Sequence, residues 1–165
     1  MMTQEMSVLR AQLFLRGLPG QQLTELAGLC RHVVVPAGQR MFEEGSSANR
    51  FWLIDAGQAA LDALVPGHGR IIIGMLGRGD VIGLSWMLPP FQWQFGAVTT
   101  QQLQAFEFDA HAVRAACDAD PVLGYEMSRR FSAILLHRLQ STRSRLLSAS
   151  AQPDPPGASS IHTHN

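Results

Sequence analysis

Residues 79–97 read GDVIGLSWMLPPFQWQFGA. Glycines, a short turn and then a strand are the punctuation of a loop that holds an anion on its backbone N–H groups. Such a loop normally has a cation beside it. Here nothing charged follows Asp80, and no Arg or Lys falls between Arg78 and Arg114. The polar groups on offer are Ser85, Gln92 and Gln94. Trp86, Phe91, Trp93 and Phe95 place four aromatics among ten residues. Strand alternation puts Trp93, Phe95 and Ala97 on one face and Gln92, Gln94 and Gly96 on the other. Three arrangements are open. The aromatics fill a vacated pocket, or they line an apolar ligand site with Ser85, Gln92 and Gln94 as polar contacts, or they form an exposed patch for a protein partner.

Other candidate chemistry is sparse. No GxSxG, HExxH or P-loop occurs. Asp55, Asp62, Glu107 and Asp109 read as strand-end carboxylates without evident pairing. His32, His68 and His111 are singletons, and His162-x-His164 lies in a polar tail that offers no closed metal site. Cys30 and Cys117 have no metal or CxxC spacing and read as small buried apolar residues in a reduced, cytoplasmic protein. No metal and no catalytic residue is expected, and the chain reads as non-enzymatic.

The elements that must position the loop follow from pattern. The chain has 165 residues, 46% of them apolar and 16% charged, which suits one globular domain with a core. Formal net charge is zero, so no global field draws it to nucleic acid or membrane. All 13 cationic side chains are Arg. No signal peptide or membrane span is expected. Residues 1–30 read as short helices carrying Leu15, Leu18, Leu23, Leu26 and Leu29. Residues 31–109 alternate short β-branched and aromatic runs with Gly and Pro turns, predicting about eight strands in a roll or sandwich. Residues 110–147 return to helical period. Asp120-Pro121 supplies an N-cap and an N1 proline for a helix of about 40 Å. Residues 148–165 are small, polar and Pro-rich and are read as a disordered tail.

These pieces resemble a known family. FEEGSSANRFWLIDAGQAAL, then GMLGRGDVIG, then a glycine-bearing turn, a strand and a long closing helix, resemble the cyclic nucleotide-binding domain, in particular the Crp/Fnr-type sensor domain. Gly38, Gly45, Gly57, Gly79 and Gly83 carry most of the likeness. It implies a mainly β fold: a double-stranded, jelly-roll-like β-roll with short N-terminal helices and a long C-terminal helix. It also makes residues 79–97 the phosphate-binding cassette. In that family a Glu after the glycine bonds the ribose, and an Arg followed by Ser or Thr pairs with the cyclic phosphate. The Glu position falls on Leu84. The Arg and its neighbour fall on Trp93 and Gln94, or on Gln94 and Phe95. Thr142, in RLQST, stands where a family Thr contacts the base across a dimer. The implied ligand set is therefore Gly83, Leu84, Ser85, Trp86, Gln92, Trp93, Gln94 and Thr142, a degenerate one. A β-roll is similar to cupins as well, but their metal centres need His-x-His, then Glu and His, which the single histidines do not supply.

The missing charges weigh against cAMP or cGMP as a tight ligand. A charge-assisted hydrogen bond nets about 1.5–3 kcal/mol, and an unpaired buried charge costs about 3–5 kcal/mol. The second figure alone amounts to roughly a hundred- to thousandfold in affinity, before the ribose Glu is counted. Met127, Phe131, Leu135, Leu139, Thr142 and Leu146 form a seam at 4, 4, 4, 3, 4 spacing, widened by Ile134 and Leu147. In the Crp/Fnr-like arrangement its distal part, Phe131, Leu135, Leu139, Thr142 and Leu146, pairs with a second copy. Arg129, Arg130, His137, Arg138, Arg143 and Arg145 read as a solvated basic face. Only 18 residues follow Leu147, so no helix-turn-helix and no sequence-specific DNA binding is expected. The reading is a bacterial, cytoplasmic, homodimeric sensor or regulatory domain with a small-molecule or protein partner. Its alternative is an interaction subunit whose pocket is filled by aromatic side chains.

Overall fold

The computed structural model describes residues 2–151. The described residues fall into two units, 2–130 and 131–151. The first begins with α1 (Met2–Ala11), a 3₁₀ turn (Leu13–Leu15) and α2 (Gly20–Ala27). The last of the short helices predicted over 1–30 stops at Ala27, and Cys30 already opens a strand. Eight strands follow: β1 (Cys30–Val35), β2 (Arg40–Phe42), β3 (Arg50–Ala56), β4 (Ala59–Val65), β5 (Gly69–Leu76), β6 (Val81–Ile82), β7 (Gly96–Thr99) and β8 (Leu103–Asp109). They form two antiparallel four-stranded sheets, ordered β1-β8-β3-β6 and β2-β7-β4-β5. This is the expected β-roll. Helix α3 (Ala110–Ala119) and the long helix α4 (Pro121–Ser150) close the chain.

The alternation of β3 and β8 divides the first sheet into two working faces. Phe51 pairs with Phe108 and Trp52 with Glu107. Phe51 and Phe108 stack at 4.7 Å, and Trp86 stacks on Phe51 at 4.4 Å. All three are essentially inaccessible, as are Leu26, Val113, Leu123 and Met127 from the helices. Helix α2 packs on β1, and α3 packs on β3 and β8. The opposite face points Trp52 toward Phe42 of the second sheet, at 5.8 Å.

The turns depend on glycine where the sequence predicted it. Gly38, Gly45, Gly57, Gly79 and Gly83 all have φ between +78° and +97°. Gly57 is the tightest, because a Cβ there would lie 2.0 Å from the Gln102 carbonyl oxygen. Asp109 caps α3 by accepting from the Ala112 N–H at 3.0 Å. Asp120 caps α4 by accepting from the Val122 N–H at 3.0 Å, and its other oxygen accepts from Gln22 Nε2 at 3.0 Å. The Gln22 bond is the main reason the Asp120 carboxyl sits below its ordinary pKa. Helix α4 continues three residues past Leu147 to Ser150. The rest of the predicted tail, with His162 and His164, lies outside the described residues.

Arg130 departs from the predicted solvated face of α4. Its side chain is 9% exposed. Its Nε donates to the Phe14 carbonyl at 2.9 Å and its Nη2 to the Arg16 carbonyl at 2.8 Å. Its Nη1 pairs with Glu126 one turn earlier, and this bond leads the causes that lower the Glu126 pKa. The guanidinium therefore ties the N-terminal segment to the start of α4. Helical period alone does not show this, because the acceptors are backbone carbonyls over a hundred residues away.

Candidate functional site

The cassette turns at Gly83, with φ of +97°. A Cβ on Gly83 would lie 2.6 Å from Trp93 Cη2 and 3.4 Å from the Arg50 carbonyl oxygen. The Trp93 indole thus lies directly on the glycine. Trp93 is 4% exposed and stacks on Phe42 at 3.8 Å and 15°. Its direction is set by the backbone. The Trp93 N–H donates to the Ser46 carbonyl at 2.8 Å, and its carbonyl accepts from the Gly45 N–H at 2.7 Å. Gln92 bridges to Ser47, and the Phe91 carbonyl accepts from the Ala48 N–H at 2.8 Å. Residues 91–93 are therefore zipped to residues 45–48.

The predicted common face of Trp93, Phe95 and Ala97 does not form. The chain bends at Gln94 and Phe95, and β7 starts only at Gly96. Phe95 is left 41% exposed while Trp93 and Ala97 are buried. A bend between them removes the period of two on which that face depends. The four aromatics separate into different settings. Trp86 belongs to the core stack on Phe51. Phe91 lies under the Arg114 guanidinium, 4.2 Å from its ring centroid, and Arg114 Nη1 donates to the Trp86 carbonyl at 2.6 Å. Phe91 has φ of +53°, uncommon for a residue with a side chain.

The remaining predicted positions are mostly peripheral. Leu84 and Ser85 are half-buried, and Gln92 and Gln94 are exposed. Ser85 Oγ accepts a long bond from the Gln94 N–H at 3.4 Å, and Gln94 Nε2 donates to the Gln92 carbonyl at 3.3 Å. Thr142 lies in the second unit, exposed, with its hydroxyl donating to the Arg138 carbonyl at 2.9 Å. Of the predicted ligand set, the structure packs Trp93 on Gly83 and links Ser85, Gln94 and Gln92 by long bonds at the rim.

Residues missed by pattern surround this pair. Trp52 Nε1 donates to Glu107 Oε2 at 2.9 Å. Glu107 Oε1 accepts from Arg31 Nη2 at 2.6 Å, from Arg31 Nε at 2.9 Å and from Arg50 Nη1 at 3.1 Å. Burial pushes the Glu107 carboxyl up, but the bonds from Arg31 and Trp52 and the charges of Arg50 and Arg31 outweigh it, so its pKa is lowered. The charges come from three strands, Arg31 on β1, Arg50 on β3 and Glu107 on β8. The other carboxylates read as unpaired are also engaged. Asp62 lies within β4, 4% exposed, with Arg40 Nη1 at 2.7 Å and Arg70 Nη1 at 3.8 Å. Asp55 accepts from Gln12 Nε2 at 3.1 Å and faces His32 Nε2 at 3.9 Å. These partners come from other elements, Gln12 from the N-terminal segment and Arg40, Arg70 and His32 from other strands.

A pH prediction follows from Glu107. Its folded pKa lies below the unfolded value of about 4.3, so its stabilisation is complete above that value and is lost as pH falls through the folded pKa. Between pH 6 and pH 3 the parent protein is expected to lose more stability than Glu107→Gln, measured by urea unfolding at each pH. Parallel losses in the two proteins contradict this account.

Cys117 carries no reactive thiol. Burial first, then Asp118, Glu25 and Asp120, push it up to about 11. Among the described residues, no three His, Cys, Asp or Glu side chains come together as a metal site.

Residues 32–120 match the family model of the cyclic nucleotide-binding domain, which is more than half of the chain. The chain belongs to the cyclic nucleotide-binding domain family. A CRP-like cAMP-activated global transcriptional regulator of Mycobacterium tuberculosis is 24% identical over 137 residues, 83% of this chain. The chain spans 59% of that relative's length. A cyclic nucleotide-binding domain from Methylobacillus flagellatus superposes with TM-score 0.75 at 16% identity, covering 94% of this chain and 86% of the other. The catabolite activator protein of Thermus thermophilus gives 0.65 at 18% identity, covering 83% and 62%. These likenesses establish the β-roll and its closing helices. Among the described residues, no helix is long and apolar enough to cross a membrane.

Proposed function

We propose that this chain is a regulatory domain of the cyclic nucleotide-binding family that does not take a cyclic nucleotide as a tight ligand. One observation carries the reading. Trp93, one of the two positions where the family's phosphate-binding Arg aligns, lays its indole on Gly83 and stacks on Phe42. An entering cyclic phosphate would lose its water, displace a buried indole and meet no cassette cation. Leu84 gives the ribose no carboxylate. The domain is non-enzymatic and acts by association through its distal helix.

Calorimetric titration with cAMP and with cGMP tests the first part. No binding tighter than about 1 mM is expected, given a loss of roughly a hundred- to thousandfold from a micromolar family site. A dissociation constant below about 10 µM overturns the reading, since it would require a pocket that the indole does not block.

The association surface is the second unit. Leu135, Leu139 and Leu146 are between 51% and 67% exposed, and so are Leu136 and Leu147. Phe131, which the sequence put at the head of the seam, is 2% exposed in the single chain. The available seam therefore starts at Leu135. A helix left open along its apolar stripe gains most of its stability from a partner, and a second copy is the occupant the Crp/Fnr likeness supplies.

A further inference from the structure

We infer that Arg114 is a positioning residue that pins the cassette in one arrangement from within the chain, so that this domain is set rather than switched by a ligand. This rests on the reading above that the cassette does not take a cyclic nucleotide tightly, and it names what fixes the loop instead.

The next cationic residue in sequence after Arg78 is Arg114, beyond the whole cassette. The fold returns it to the loop. Helix α3 is held at its start by the Asp109 cap, and one residue before Arg114 by Val113, which is fully buried. From there the half-buried Arg114 side chain reaches both limbs of the loop. Its Nη1 donates to the Trp86 carbonyl at 2.6 Å on the outgoing limb. Its guanidinium carbon lies 4.2 Å from the ring centroid of Phe91 on the returning limb. The first contact is a short, charge-assisted hydrogen bond, and the second is a cation–π contact.

Phe91 is where the loop needs holding. Its φ of +53° is costly for a residue with a side chain, and such a conformation persists only where its surroundings over-determine it. Three contacts do so. The Phe91 N–H donates to the Leu88 carbonyl at 3.0 Å, its carbonyl accepts from the Ala48 N–H at 2.8 Å, and its ring lies under Arg114. The two backbone bonds fix the peptides on either side of Phe91. The guanidinium fixes the ring and ties it to residue 86, whose own indole is stacked into the core on Phe51. Loops that order around a ligand are drawn from the low-stability end of a fold. This one is braced at both limbs by a side chain of its own domain.

Amide hydrogen exchange on the full chain tests the inference. Arg114→Met keeps the length of the side chain and removes its charge and its donors. The amides of residues 84–92 and of Ala48 are expected to exchange about tenfold faster or more in this variant, the worth of a charge-assisted hydrogen bond. Those of the β3–β8 ladder are expected to stay within about threefold of the parent. Arg114→Lys keeps the charge and should restore part of the protection. Should Arg114→Met fail to fold, Phe91→Ala carries the test, with the same local opening to a smaller degree. The inference is overturned if the cassette amides exchange at the parent rate in these variants, or if the Lys variant is no better protected than the Met variant. It is also overturned if the β3–β8 ladder opens as far as the cassette, since Arg114 would then be an ordinary packing residue. Failure of the underlying reading looks different. It is cAMP binding to the parent below about 10 µM by calorimetry, whereas failure of the pin is seen in the variants with no nucleotide added.

Discussion

The double variant Leu84→Glu/Trp93→Arg is expected to bind cAMP with a dissociation constant of about 10–100 µM, against no binding tighter than about 1 mM for the parent. Two changes act together. Removing the indole clears the ground above Gly83, where Trp93 Cη2 lies 2.6 Å from the position a Cβ would take. The new guanidinium then stands on a backbone already fixed by the bonds to Gly45 and Ser46, so it costs little further ordering. Its charge-assisted contact with the phosphate supplies the larger part of the gain. The carboxylate introduced at position 84 supplies the smaller part, by accepting from the ribose hydroxyl. Leu84→Glu alone is expected to stay silent, because the indole remains in place. Calorimetry on both variants, with circular dichroism to show that each is folded, checks this. A folded double variant that still does not bind would remove Trp93 as the cause of exclusion and point to a cassette closed elsewhere, at the Phe91–Arg114 contact for example.

The second large effect is on stability. Trp93→Ala is expected to cost about 3–5 kcal/mol, the range for deleting a buried aromatic and leaving a cavity. Trp93 is 4% exposed, sandwiched between Phe42 and Gly83, and 6.3 Å from Trp52, which in turn holds Glu107. Urea unfolding should show a lower midpoint with an unchanged slope, since the denatured chain is little altered. Phe95→Ala, at a 41% exposed side chain two residues on, should cost under about 1 kcal/mol. A dry, apolar cavity of this origin can take an aromatic solute, so added indole is expected to restore part of the lost stability of Trp93→Ala. Equal losses at Trp93 and Phe95 would contradict the division of the aromatics into one buried wedge and one exposed ring.

These two predictions differ in how far they could be reached without a structure. That the cassette lacks its charges is visible in Leu84 and in the absence of any Arg between Arg78 and Arg114. Which residue stands over Gly83 is not. Trp93 and Gln94 were equivalent candidates from counting. Only the pairing of residues 91–93 with residues 45–48 turned Trp93 inward and left Gln94 in solvent.

The sequence by itself determined the architecture of this protein. Short β-branched runs, glycines at the positive-φ positions other than Phe91, and the Asp120-Pro121 helix start are local constraints, written in consecutive residues and satisfied within a few residues of where they occur. Helix α4 was legible for the same reason, since helical period is local. Tertiary structure alone decided who pairs with whom. Glu107 reaches Arg31 and Arg50 across strands 76 and 57 residues apart in sequence, Arg130 reaches carbonyls at Phe14 and Arg16, and Phe131 is buried in the single chain. Those choices depend on register between distant strands and on a bend at Gln94 and Phe95 that breaks alternation, and neither has a signature in neighbouring residues. The loop that looked like an uncharged phosphate cradle is, in three dimensions, a glycine turn covered by its own tryptophan.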